Sequence, residues 1–145
     1  MRYIANHIVQ VAALTTVLAL TSAPLAQGAE GCTTANLKGN FGGILTGSVI
    51  GVGPIALVTT VTFDGAGGWS YDETGNINGN PIPNQHFTGN YSVTANCAGS
   101  TKDSGGNTTD FVIVGSGKDV EIMMAGTAPG AVFTIVLKRR FHSDD

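Results

Sequence analysis

Glycine punctuates this chain, and the punctuation limits what the chain can become. All 21 glycines lie at or after Gly28. From there, short runs rich in Val, Ile, Thr and Phe alternate with clusters of Gly, Asn and Asp. A glycine inside a helix costs about 1 kcal/mol relative to alanine, and no segment sustains the apolar spacing of an amphipathic helix. β-branched and aromatic residues suit strands, while Gly, Asn and Asp supply the positive φ of tight turns. The chain is therefore expected to be all-β.

Strands are expected over residues 39–48, 55–63, 69–77, 86–94, 99–103, 108–114, 120–125 and 131–139. Residues 64–68 (DGAGG) read as a hairpin turn. Residues 78–84 (NGNPIPN) read as a longer loop, in which Pro81 and Pro83 block strand pairing. Most other connections are short, so consecutive strands should pair antiparallel as an up-and-down meander. Eight such strands close into a barrel, which removes exposed edges; a β-sandwich is the alternative. An eight-stranded barrel has room inside for side chains or one small ligand. Phe41, Phe63, Phe87, Phe111 and Phe133 recur at separations of 22, 24, 24 and 22 residues. That is two strands and their turns each time, and it marks a regular build.

Several strands are apolar on both faces. Residues 55–63 place Ile55, Leu57, Val61 and Phe63 on one face, with Ala56 and Val58 on the other. Residues 108–114 and 131–137 likewise carry Val, Ile or Phe on both faces. A barrel wall covered by water alternates apolar and polar. Part of the outer wall is therefore expected to be covered, and a homo-oligomer is the expected cover.

Residues 1–28 read as a signal peptide. Arg2 precedes an apolar stretch from Ile8 to Leu20, and Ala26-Gln27-Gly28 fits the small-x-small cleavage rule. The stretch is too short and too interrupted for the ~20 apolar residues of a membrane span. Residues 29–145 then form a single domain, secreted or periplasmic. That part holds both cysteines, Cys32 and Cys97, and an exported pair is expected to form a disulfide. It carries six basic and ten acidic residues, a net charge of −4. Nucleic-acid binding needs a basic surface and is excluded as a role.

Few motifs carry chemistry. Gly51-Val-Gly-Pro-Ile-Ala56 matches a dinucleotide-binding glycine pattern, yet strand-forming residues follow it where a helix is required. Gly115-Ser-Gly-Lys118 lacks the first glycine of a phosphate loop, since position 112 is Val. No cofactor is indicated. No metal site is expected either, because after residue 28 the only histidines are His86 and His142. Asp64, Asp72 and Glu73 lack the alternating pattern of a calcium loop. Asn90 and Asn107 begin glycosylation sequons. Trp69, Tyr91 and Phe63 are the expected ligand-binding residues of an open barrel interior. Glu73 or Glu121 would serve as an acid or base if desolvated, since burial raises a carboxylate pKa. Glu121 and Met123 are expected on an outward face, opposite Val120 and Ile122. No catalytic residue is assigned.

Asn36-Leu-Lys-Gly-Asn-Phe41, Thr62-Phe-Asp-Gly-Ala-Gly67, Thr88-Gly-Asn-Tyr-Ser-Val-Thr94 and Asp110-Phe-Val-Ile-Val114, with Cys32 and Cys97, together resemble a group of small exported bacterial β-proteins. These are similar to the calycin and allene oxide cyclase-like barrels. The resemblance implies an eight-stranded barrel that holds apolar ligands and assembles as an oligomer. No cyclase catalytic residue matches a position here. Three roles follow as expectations: binding of a small apolar ligand, a cyclase or isomerase on the same barrel, and a structural or adhesive surface protein without a pocket. An outer-membrane barrel fits less well, since only 7% of the chain is aromatic.

Overall fold

The computed structural model describes residues 31–116, 119–126 and 130–140. The expected signal peptide, Lys118 and His142 lie outside the described residues. A short 3-10 turn, Thr34–Leu37, leads into eight strands. They are β1 (Gly39–Val49), β2 (Gly53–Phe63), β3 (Gly68–Ile77), β4 (Asn80–Val93), β5 (Ala98–Asp103), β6 (Thr108–Val114), β7 (Glu121–Gly126) and β8 (Ala131–Arg139). Each pairs antiparallel with the next, and β8 returns to pair with β1, giving a closed up-and-down barrel. Closure gives every strand two neighbours, and the sandwich alternative falls away.

One connection departs from expectation. Residues 80–84 are strand, not loop: Asn80, Pro81 and Ile82 pair with Ile77, Asn76 and Gly75. Asn78 and Gly79 form a two-residue hairpin with φ of 50° and 85°. Asn-Gly is a strong signal for that turn, because both residues tolerate positive φ. The prolines fit because a two-residue hairpin closed by Ile77 and Asn80 turns the N–H groups of Asn80 and Ile82 toward β3. Pro81 and Pro83 then face the other side, where β5 does not reach; it pairs with β4 only along Gly89–Val93.

One end of the barrel is plugged. The 3-10 turn inserts Leu37, fully buried, against Phe41, Phe63, Tyr91 and Val120. The Tyr91 hydroxyl donates to the Thr34 carbonyl at 3.0 Å. The Arg139 guanidinium lies 4.8 Å over the Phe41 ring and donates to the Lys38 and Asn36 carbonyls. Cys32 and Cys97 form the expected disulfide, with Cα atoms 4.9 Å apart, fastening the plug to the β4–β5 turn.

The five regularly spaced phenylalanines all sit on inward positions; Phe41, Phe63 and Phe111 are buried. Glycine makes room for such rings. A Cβ on Gly99 would lie 2.2 Å from Phe111 Cζ, and one on Gly89 would lie 2.6 Å from the Trp69 ring nitrogen. On the outside, Val58, Ile44, Val136, Met123 and Val112 follow one another in register across β2, β1, β8, β7 and β6. Four of these are about half exposed: Val58 57%, Ile44 51%, Met123 50% and Val112 46%. Glu121 and Met123 do face outward, while Val120 and Ile122 are buried.

Candidate functional site

The plug and the large rings fill one half of the barrel. The other half, toward the β1–β2, β3–β4 and β5–β6 connections, holds a cavity of about 160 Å³. Alternation along each strand explains its wall. Leu45 on β1, Leu57 on β2, Met124 on β7 and Ile135 on β8 supply an apolar lining. Trp69, Tyr71 and Glu73 enter from β3, since every second residue of a strand shares a face. Asp103 and Asn107 complete the polar side.

Asp103 organises that side. It ends β5, and the turn after it folds back so that Asn107 donates twice to its carboxylate. The backbone N–H reaches Oδ1 at 2.8 Å and the side-chain amide reaches Oδ2 at 2.9 Å. The Tyr71 hydroxyl donates to Oδ2 at 2.7 Å. Burial pushes the Asp103 carboxyl up, but the hydrogen bonds from Asn107 and Tyr71 outweigh it and hold the group below the usual carboxylate range. Burial, then the Asp103 hydrogen bond and charge, push the Tyr71 phenol far above its ordinary value. Glu73 is raised, first by burial and then by the negative charge of Asp103. Among the described residues, none donates a hydrogen bond to its carboxylate.

The arrangement thus holds one firmly ionised carboxylate, one phenol locked as a donor and one carboxyl with a raised pKa. Trp69 and Tyr71 stack with centroids 4.8 Å apart, and Phe87 continues the stack 5.0 Å beyond Tyr71. The Trp69 ring N–H is buried without a hydrogen-bond partner among the described residues.

Of the expected ligand-binding residues, Trp69 lines the cavity. Phe63 and Tyr91 do not: they pack edge to face at 4.9 Å beneath the plug. Glu73 lines the cavity, whereas Glu121 lies 3.7 Å from Lys138 at the other end of the barrel. Tyr71, Asp103 and Asn107 were not anticipated. Tyr71 was legible from its spacing between Trp69 and Glu73, but Asp103 depended on strand register. The candidate calcium carboxylates go separate ways. Asp64 accepts from the backbone N–H groups of Ala66, Gly67 and Gly68, Asp72 pairs with His86 at 3.0 Å, and Glu73 faces inward. The described residues contain no cluster of His, Cys, Asp or Glu that would hold a metal ion. Gly51 sits in the β1–β2 turn and a strand follows it, so no helix N-terminus is there to bind a pyrophosphate.

A wider trough of about 760 Å³ runs along the outside of β4–β8, past Val112, Met123 and Val136. It is more open to solvent than the interior cavity, and Ser92, Ser100, Asp110 and Thr134 supply its polar side. Among the described residues, no helix is long and apolar enough to cross a membrane. No protein-family model, curated protein or solved structure matches the chain.

Proposed function

We propose that this protein is an exported β-barrel that binds one small, largely apolar molecule in its interior. The observation that carries this reading is the interior cavity, apolar on most of its wall, with Tyr71, Glu73, Asp103 and Asn107 converging on one side. Such a division, apolar lining with a few placed polar groups, is what small-molecule sites have in common. Size sets the occupant. Drug-sized ligands occupy pockets of ~300–1,000 Å³, whereas ~150 Å³ suffices for benzene. At about 160 Å³ the cavity suits a single ring or a short branched chain.

A structural or adhesive role needs no cavity. A cyclase or isomerase, as the likeness to allene oxide cyclase-like barrels implies, keeps support from one feature. Glu73 faces the cavity with a raised pKa, the property a general acid needs near neutral pH. The outer row of Val58, Ile44, Val136, Met123 and Val112 supports assembly into a homo-oligomer.

Native mass spectrometry of protein purified from its source tests both claims. A bound small mass, lost when Leu57→Trp fills the cavity, is the expected result. A mass equal to the bare chain, with no thermal shift on adding toluene, would refute the binding role. Light scattering of Met123→Lys beside the unaltered protein reads the assembly; a monomer in both removes the oligomer.

A further inference from the structure

The cavity wall carries an unbalanced charge. Two carboxyl groups, Glu73 and Asp103, line it, and no Lys, Arg or His is among its lining residues. Three described basic groups are placed elsewhere. Arg139 is held over Phe41 in the plug, His86 pairs with Asp72, and Lys102 is exposed on the outer wall.

Most donors near the carboxyls are already used, while the buried Trp69 ring N–H has no partner among the described residues. Tyr71 and Asn107 both donate to Asp103, and the Thr109 hydroxyl is paired with that of Thr101. Glu73 receives no hydrogen bond from the described residues. A half-buried carboxyl without a donor, beside a second negative charge, is an electrostatic cost to the fold. The matching occupant supplies N–H donors and positive charge. Two aromatic rings, Trp69 and Tyr71, stand on the same wall, stacked 4.8 Å apart. Their faces are covered by Phe63, by each other and by Phe87, so the rings shape the wall and leave the recognition of charge to the carboxyls.

We infer that the cavity takes a protonated amine: a ring-sized hydrocarbon whose ammonium head lies against Glu73 and Asp103. This rests on the ligand-binding role proposed above and names the chemistry of its ligand. Anionic amphiphiles such as fatty acids are excluded by the same charges, because no cation in the wall offsets a second carboxylate.

Four probes of one shape test it: toluene, benzyl alcohol, benzylamine and benzoate. Each is titrated at pH 7 into the disulfide-bonded protein, with binding read by calorimetry and by NMR shifts of the Trp69 indole. Benzylamine is expected to bind about tenfold tighter than benzyl alcohol, the scale by which a charge-assisted hydrogen bond to a carboxylate exceeds a neutral one. Benzoate is expected to bind most weakly. Glu73→Gln should abolish the preference for benzylamine over benzyl alcohol.

Toluene binding with benzylamine no tighter than benzyl alcohol overturns the amine inference and leaves the binding role standing. Failure of all four probes overturns the binding role itself. A benzylamine preference that survives Glu73→Gln places the ammonium elsewhere and also refutes the inference. The wild-type series decides the matter even if that variant does not fold.

Discussion

Removing the Tyr71–Asp103 hydrogen bond offers a direct measurement of how the cavity is held. The donor and acceptor are 2.7 Å apart, and Asp103 is 8% exposed. Hydrogen bonds to charged groups are worth about 1.5–3 kcal/mol net, because a lost partner leaves the other desolvated. Tyr71→Phe removes the donor. Asp103→Asn keeps the shape, removes the charge, and leaves Asn107 with a weaker acceptor. The double-mutant cycle isolates the pair from those side effects. Urea unfolding at pH 7 should return a coupling of about 2 kcal/mol, within the range for charged hydrogen bonds. The sign with pH follows from the direction of the shift. Asp103 has a lowered folded pKa, so its contribution is fully present above the unfolded carboxylate value of 3.8. It is lost as pH falls below that value through the folded pKa. The coupling should be equal at pH 7 and pH 5, then shrink toward pH 2.5. A coupling below about 0.5 kcal/mol, the scale of exposed ion pairs, would refute the claim that this contact is a buried, charge-assisted one.

Glu73→Gln should stabilise the protein at pH 7 and have little effect at pH 3. The folded pKa of Glu73 is raised, so its ionisation costs stability as pH climbs above the unfolded value of 4.5; equal urea midpoints at pH 7 would contradict this. Reducing Cys32–Cys97 opens a 65-residue loop and should lower stability by up to about 4 kcal/mol on the chain-entropy model, read by melts with and without reductant. Gly99→Ala should cost about 2–3 kcal/mol, because its Cβ would strike Phe111 and the Ser92 carbonyl at 2.2 Å. Gly79→Ala, which meets nothing within 4 Å but has φ near 85°, should cost only about 1 kcal/mol. Equal losses at the two glycines would show that space is not what Gly99 provides.

The local grammar of the strands was legible in the sequence. Alternation along WSYDE places Trp69, Tyr71 and Glu73 on one face before any fold is known. Asp-Gly and Asn-Gly turns set antiparallel neighbours, and antiparallel neighbours in a row of eight lead to closure. The reading of residues 78–84 failed because proline was weighed as a block on pairing, when only one side of β4 was paired there.

What tertiary structure alone decided is which residues each face meets. Phe63 and Tyr91 read from sequence as pocket aromatics, because nothing local shows that Leu37 would be driven in above them. Asp103 read only as the end of the strand expected over residues 99–103. Its role depends on register: Gly89 lies directly opposite both Trp69 on β3 and Asp103 on β5. A side chain at Gly89 would strike the Trp69 ring nitrogen at 2.6 Å and the Asp103 Cα at 2.8 Å. With only hydrogen there, Tyr71 reaches across β4 to a carboxylate 32 residues away. Alternation is a property of one strand and can be read along it. A cavity is a property of the gap between strands, which depends on closure, register and the side chains that neighbouring strands leave out.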